Sequence, residues 1–268
     1  MIAYKKVLKA RSKERPVASD YIQGLFSQFT ELHGDRRAGD DTSVIGGIAL
    51  LGDMPVTVIG IEKGKDTNDK IYHNFGAAHP EGYRKSLRLM KQAEKFHRPV
   101  ICLVDTAGAF CGIDAEEHGQ GQAIAENIAE MMTLKTPVIS IVIGEGGSGG
   151  ALGLAVADEV WMLSGAYYSV VSPESCANIL WKDAERAAKA AESLKLTAQD
   201  LLGFGIIERI IMEPKDYESG ALQPEFYNKL SKLIETTLKQ LMNMSIDELL
   251  NERYEKFRKV GRYDSNCN

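Results

Sequence analysis

The chain has 268 residues, 44% hydrophobic and 26% charged, with 25 Gly and 8 Pro, proportions that exclude a disordered, collagenous or disulfide-scaffold protein. A chain of this length buries about three quarters of its unfolded surface, so one domain over 1–268 with a full core is expected without a metal staple. A balance of 32 basic against 37 acidic residues, net −5, argues against a general nucleic-acid binder.

In chain order, Met1 to Pro16 carries six basic residues and one acid, which predicts a solvated leader helix, with the leader ending near residue 19. Tyr21, Leu25, Phe26, Phe29 and Leu32 recur near 3.6 spacing and predict a helix from Asp20 to His33. Val44 to Leu51 and Val56 to Ile61 flank Gly52, Asp53, Met54 and Pro55 and predict a hairpin. A polar loop from Lys63 to His79 precedes Pro80, which opens an amphipathic helix to about Phe96. Strand Pro99 to Val104, helix Glu116 to Leu134, strand Pro137 to Ile143, helix Gly149 to Ala157 and strand Val160 to Leu163 then alternate. That βαβαβ order predicts parallel strands buried on both faces. A short strand Tyr168 to Val171 and a helix Pro173 to Trp181 follow. The remaining third reads as helical: Ala184 to Leu194, Thr197 to Leu202, Pro224 to Met244 and Ile246 to Val260, with a tail from about 215 to 268.

Pro137 to Ala157 is apolar enough to suggest a membrane span, but its centre, Gly144 to Gly150, holds five glycines, a serine and Glu145, so no membrane segment is expected. Cys102, Cys111, Cys176 and Cys267 form no Cys-x-x-Cys pair, which points to free thiols in a reducing, cytoplasmic setting and to no metal site.

The loop Gly144 to Gly150 follows a buried strand and opens a helix. Read through Gly144, Gly146 and Gly149 it imitates a dinucleotide fingerprint, but no acidic residue ends the next strand at Leu163, Ser164, Gly165. Read through Gly146, Ser148 and Gly150 it imitates a nucleophile elbow, but all five histidines precede Ser148, whereas that fold needs one after it. What remains is a set of backbone N–H donors, able to stabilise a developing oxyanion, or glycines used only for close helix-on-sheet packing. The loop alone leaves both open.

Longer segments narrow the choice. ELHGDR (Glu31 to Arg36), VIGIEKGKDT (Val58 to Thr67), HPEGYRKSLRLMKQAEKF (His79 to Phe96), DTAGAFCGIDAEEHGQGQAIAENIAEM (Asp105 to Met131), VIGEGGSGGALGLAVAD (Val142 to Asp158) and YSVVSPESCANILWKDA (Tyr168 to Ala184) stand in one order. Together they closely resemble the carboxyltransferase α subunits of bacterial acetyl-CoA carboxylase, members of the crotonase superfamily. The resemblance implies an α/β crotonase (ClpP/crotonase-like) fold of stacked ββα units with a helical C-terminal region. It also implies transfer of a carboxyl group from carboxybiotin, held on the biotin carboxyl carrier protein, to acetyl-CoA, giving malonyl-CoA for fatty acid biosynthesis. The partners implied are a zinc-bearing carboxyltransferase β subunit, in an α2β2 heterotetramer, the carrier protein, and biotin carboxylase in the larger complex. This chain itself has no Met-Lys-Met biotin site, since Met90-Lys91 is followed by Gln92, and no ATP-binding glycine loop.

By the same resemblance the oxyanion hole maps onto Gly149 and Gly150, with Gly146 and Gly147 shaping the approach and Gly108 and Ala109 forming the wall and second donor region. Glu145 beside the glycines reads either as a structural carboxylate or as a base. His118, Ala107, Cys111, Lys65, His73 and Phe110 depart from the common pattern without removing a backbone donor. Lys63 to Arg98 holds nine basic and four acidic residues, which makes Lys63, Lys65, Arg84 and Lys85 candidates for binding biotin, CoA phosphates or the carrier; a solvated helix face is the rival reading. Other acyl-CoA substrates, such as propionyl-CoA or malonyl-CoA, and a non-catalytic scaffold subunit are the alternative functions.

Overall fold

Apolar runs bounded by glycine, proline and polar turns collect into one sheet in the computed structural model, which describes residues 2–214 and 223–261. Helices α1 (Ile2–Ala10) and α2 (Ala18–Leu25) precede strands β1 (Ser27–Glu31), β2 (Val44–Leu51) and β3 (Met54–Ile61). Next come α3 (Thr67–Tyr72), α4 (Pro80–Lys95), β4 (Val100–Thr106), α5 (Ile113–Glu117), α6 (Gln120–Met132), β5 (Val138–Gly147) and α7 (Ser148–Leu152). The chain continues through β6 (Glu159–Leu163), β7 (Tyr167–Ser169), α8 (Pro173–Trp181), α9 (Ala187–Leu194), α10 (Ala198–Gly203), β8 (Arg209–Ile211), α11 (Pro224–Met242) and α12 (Ile246–Lys259).

The strand order is β1-β2-β3-β4-β5-β6-β8, and β7 pairs separately with the end of β5. β1, β2 and β3 are antiparallel, while β3 to β4, β4 to β5, β5 to β6 and β6 to β8 run parallel. Every residue of β4 and β5 is buried, as central parallel strands covered by helices require. No helix among the described residues is long and apolar enough to cross a membrane; Pro137 to Ala157 is mostly β5 and α7.

Two expectations for the N-terminal part of the chain fail. The helix expected over Asp20 to His33 stops at Leu25, and Ser27–Glu31 becomes an edge strand, with Thr30 opposite Ile48 and Glu31 opposite Gly47. Gln28 takes a left-handed φ of 52°, which a helix cannot accommodate, and pairing with β2 overrides the helical spacing. The leader is not solvated either. Ala3, Val7 and Ala10 lie on one helical face and are buried, α1 packs against α9 and β5, and Lys6 Nζ donates to Ser164 O at 2.7 Å. Of the basic residues that suggested solvent exposure, Lys6, Arg11 and Arg15 hold internal acceptors, while Lys5 and Lys13 remain exposed.

The C-terminal helices cover opposite parts of the body. α11 lies along α2, where the rings of Tyr21 and Tyr227 meet edge to face at 6.0 Å, and buries Leu230, Ile234 and Leu238. α12 brings in Arg253, only 1% exposed. Its guanidinium donates to Asp158 at 2.8 and 2.7 Å, to Met131 O at 2.6 Å, Leu134 O at 2.8 Å and Thr136 O at 3.1 Å. Ser245 caps α12: its Oγ accepts from Glu248 N at 3.3 Å, and the Glu248 carboxylate accepts from Ser245 N at 2.9 Å. Ser245→Ala is expected to cost about 1 kcal/mol, read as a lower urea midpoint with unchanged slope.

Candidate active site

The C-terminal ends of β3, β4 and β5 lie side by side, and the loops leaving them form the site, where open α/β sheets usually bind ligands. β5 runs further than expected, through Glu145, Gly146 and Gly147, because β7 adds a second partner: Glu145 opposite Tyr167, Gly146 opposite Tyr168, Gly147 opposite Ser169. On its other edge Gly146 stands opposite Thr106 of β4. The helix expected from Gly149 to Ala157 is accordingly only α7, five residues long.

The glycines permit close backbone approach. A Cβ on Gly147 would sit 2.1 Å from Ala107 O, and one on Gly150 would sit 2.5 Å from Ala109 N and 2.9 Å from Gly108 C. Gly150 therefore rests directly on the Gly108–Ala109 backbone, bringing together two segments that the sequence reading placed in one site. Ser148 enters α7 at φ 51°, a strained conformation for a residue with a side chain. Among the described residues the amide N–H of Ala109 donates to no protein acceptor, and Gly149 and Gly150 stand in the first turn of α7, where amides have no intrahelical acceptor. Gly149 opens on free space, its nearest neighbour in the Cβ direction being Ile124 Cγ2 at 3.8 Å. A cavity of about 360 Å³ adjoins it, lined by Ser148, Gly149, Leu152, Tyr168, Val170 and Leu201 among others.

Glu145 is 5% exposed and points away from solvent into a charged cluster. Its carboxylate accepts from Arg11 Nε at 2.7 Å and Tyr167 Oη at 2.6 Å and pairs with Lys63 Nζ. Its backbone N–H donates to Asp105 Oδ1 at 2.8 Å, and Asp105 pairs with Lys63 at 3.1 Å. Burial alone would raise the Glu145 carboxyl, but Lys63, with the hydrogen bonds from Tyr167 and Arg11, pulls it down to about 2. A carboxylate so acidic is a poor base at neutral pH, so Glu145 is a structural anion. Because its folded value lies below the ordinary carboxylate value of about 4.3, its stabilisation is complete above that value and is lost as pH falls toward 2. The stability gap between wild type and Glu145→Gln, measured by urea unfolding, is therefore expected to narrow as pH falls from about 5 toward 2.

The four basic candidates do not form one anion site. Lys63 holds Glu145 and Asp105. Lys85 lies on no solvated helix face: it is 1% exposed and reaches Asp40 at 2.5 Å and Asp41 O at 2.7 Å. Arg84 pairs with Asp35 and Glu81, both at 2.7 Å. Each of these three is thus paired with a carboxylate of its own chain. Lys65 alone is exposed, paired with Asp20 at 2.5 Å. His118 is held by Glu81 at 2.9 Å, and Cys111 is exposed in the loop after β4. Cys102, Cys111 and Cys176 are free; Cys267 lies outside the described residues. No group of three or more potential metal ligands occurs among the described residues.

Arg11, Asp105 and Tyr167 were not singled out from sequence. Asp105 carried a usable signal, an acid closing a buried strand ahead of a glycine turn; Arg11 and Tyr167 carried none.

The architecture is that of the crotonase-fold carboxyltransferases. A chain of the Pseudomonas malonate decarboxylase hetero-tetramer, solved in complex with coenzyme A, superposes with a TM-score of 0.70, covering 87% of this chain and 90% of that one at 17% identity. Residues 1–261 match the family described as acetyl co-enzyme A carboxylase carboxyltransferase-like, and the chain belongs to that family. It is 58% identical over 261 residues to the acetyl-coenzyme A carboxylase carboxyl transferase subunit alpha of Ruminiclostridium cellulolyticum, covering 97% of this chain and 98% of the relative. A Natranaerobius thermophilus protein named as subunits beta/alpha is 54% identical over 268 residues, 99% of this chain but 44% of its own length.

Proposed function

We propose that the chain works with a zinc-bearing β subunit, in a cytoplasmic α2β2 assembly, to move the carboxyl group of carboxybiotin onto acetyl-CoA and form malonyl-CoA. The biotin arrives on the carrier protein, and biotin carboxylase charges it with ATP elsewhere in the complex. Both carboxybiotin and acetyl-CoA are substrates to this chain. The observation that carries the reading is the first turn of α7, where Gly150 rests on the Gly108–Ala109 backbone and Gly149 lines an open cavity, in a chain whose family is the carboxyltransferase α subunit.

Carboxybiotin releases CO₂ and leaves negative charge on its ureido oxygen. Gly149 and Gly150 N–H groups meet that oxygen, Ala109 N–H is the second donor, Gly108 forms the wall, and Gly146 and Gly147 keep the approach clear of side chains. The ureido nitrogen then takes the methyl proton of acetyl-CoA, and the enolate carbon attacks CO₂, so this chain supplies no base. Lys65 is the one candidate cation exposed enough to meet a CoA phosphate or the carrier.

The test is the reverse reaction, malonyl-CoA plus a free biotin derivative, run with this chain alone and with a matching β subunit. Transfer only in the mixture is expected. A formed complex without transfer rejects the reading in favour of another acyl-CoA or a scaffold role.

A further inference from the structure

Two arginines just after α1 reach the strand that carries the glycine loop. Arg15 Nε donates to Ile143 O at 2.6 Å, and its guanidinium pairs with Glu213 at 2.7 Å, both groups buried. Arg11 reaches two residues further along β5. It donates to the Glu145 carboxylate through Nε at 2.7 Å, to Tyr167 Oη at 3.3 Å, and to Glu174 through Nη1 at 2.8 Å and Nη2 at 3.3 Å. Glu174 lies in the first turn of α8, and Tyr167 belongs to β7, the strand that pairs with Glu145, Gly146 and Gly147. One planar guanidinium thus ties α1, β5, β7 and α8 together at the base of the loop.

We infer that Arg11 is a positioning residue for the carboxyl transfer: by holding Glu145, Tyr167 and Glu174 together it fixes Gly146 to Gly150, and so sets where the Gly149 and Gly150 amides point. The inference rests on the function proposed above. Its physical basis is the demand of an oxyanion hole for donors placed before the reaction begins. The loop has little stiffness of its own, since glycines resist bending least and α7 is too short to hold itself. Rigidity has to come from the flanks, and only one flank, the Thr106–Ala109 side, is built from the neighbouring central strand. The other is the three-residue β7, whose Tyr167 and following helix are fastened through Arg11. Lysine cannot replace this fork, because a single ammonium does not offer donors in two directions within one plane. Arg11 touches neither substrate nor reacting atoms; it acts through Glu145 and Tyr167.

The experiment is the reverse transfer by the assembled complex carrying Arg11→Ala. The expected result is a kcat lower by about tenfold or more, with KM for malonyl-CoA within about twofold of wild type, as misplacement of catalytic donors produces. Guanidinium chloride at millimolar concentration restores part of the lost kcat in the variant and changes nothing in wild type. A purely structural role lowers stability without that rescue. Wild-type kcat in the variant overturns the inference, and so does a loss that guanidinium leaves untouched. If Arg11→Ala does not assemble, Arg11→Lys is read in its place: a reduced kcat at unchanged KM supports the inference, and wild-type kcat overturns it. Absence of transfer in the wild-type complex rejects the proposed function itself, which keeps the two failures distinct.

Discussion

Gly150→Ala is expected to lower carboxyl transfer by about 10²–10³-fold, the usual cost of disabling an oxyanion donor. The new methyl would sit 2.5 Å from Ala109 N and 2.9 Å from Gly108 C, both backbone atoms that cannot swing aside. The two segments must separate, and the amides of Ala109 and Gly150 lose their relation to one another. Gly149→Ala is the informative partner, because its methyl meets only Ile124 at 3.8 Å, an ordinary contact. That variant is expected to fold and assemble with wild-type thermal stability, so loss of turnover in it reports obstruction of the hole rather than collapse of the loop. Size-exclusion of each variant with the β subunit, followed by reverse-transfer kinetics, checks both. Full turnover by an assembled Gly150→Ala complex ends the assignment of these amides.

Arg253→Ala is expected to destabilise the subunit by about 3–5 kcal/mol, measured by urea unfolding. The substitution takes the bidentate ion-pair partner from the buried Asp158 carboxylate, leaving it the Val138 amide, and removes the donor shared by three carbonyls at the end of α6 and the turn into β5. The glycine loop lies at the opposite end of β5, so the kcat of whatever complex assembles is expected to stay near wild type. A loss of less than 1 kcal/mol would mean that water replaces the guanidinium at those acceptors.

The parts of the fold written in local periodicity could be read directly. Pro80 and the apolar stripe through Tyr83, Leu87, Met90 and Ala93 mark α4, with all but the half-buried Leu87 in the core, and the apolar runs of β4 and β5 define the sheet centre. The glycine loop was legible because few folding needs require five glycines in seven residues between a strand and a helix. What could not be read depends on partners distant in the chain. β1 is a strand only because β2 lies beside it, and β8, three residues long, has no signal apart from its pairing with β6. Glu145 is held by Arg11, 134 residues away, and by Lys63, 82 residues away, separations over which no spacing pattern operates. The same blindness hid that Lys63, Arg84 and Lys85 each hold an acid of their own chain.

The Arg253 cluster also has a meaning for how the subunit is made. Its acceptors, Met131, Leu134, Thr136 and Asp158, leave the ribosome 95 to 122 residues before the arginine that satisfies them. At synthesis rates of about 5–20 residues per second, Asp158 waits roughly 5–20 s for its counter-ion. During that interval the sheet centre can form but its far end cannot close. The nascent subunit therefore passes through a partly finished state in which a chaperone can hold it, and it can lock only once α12 has been made.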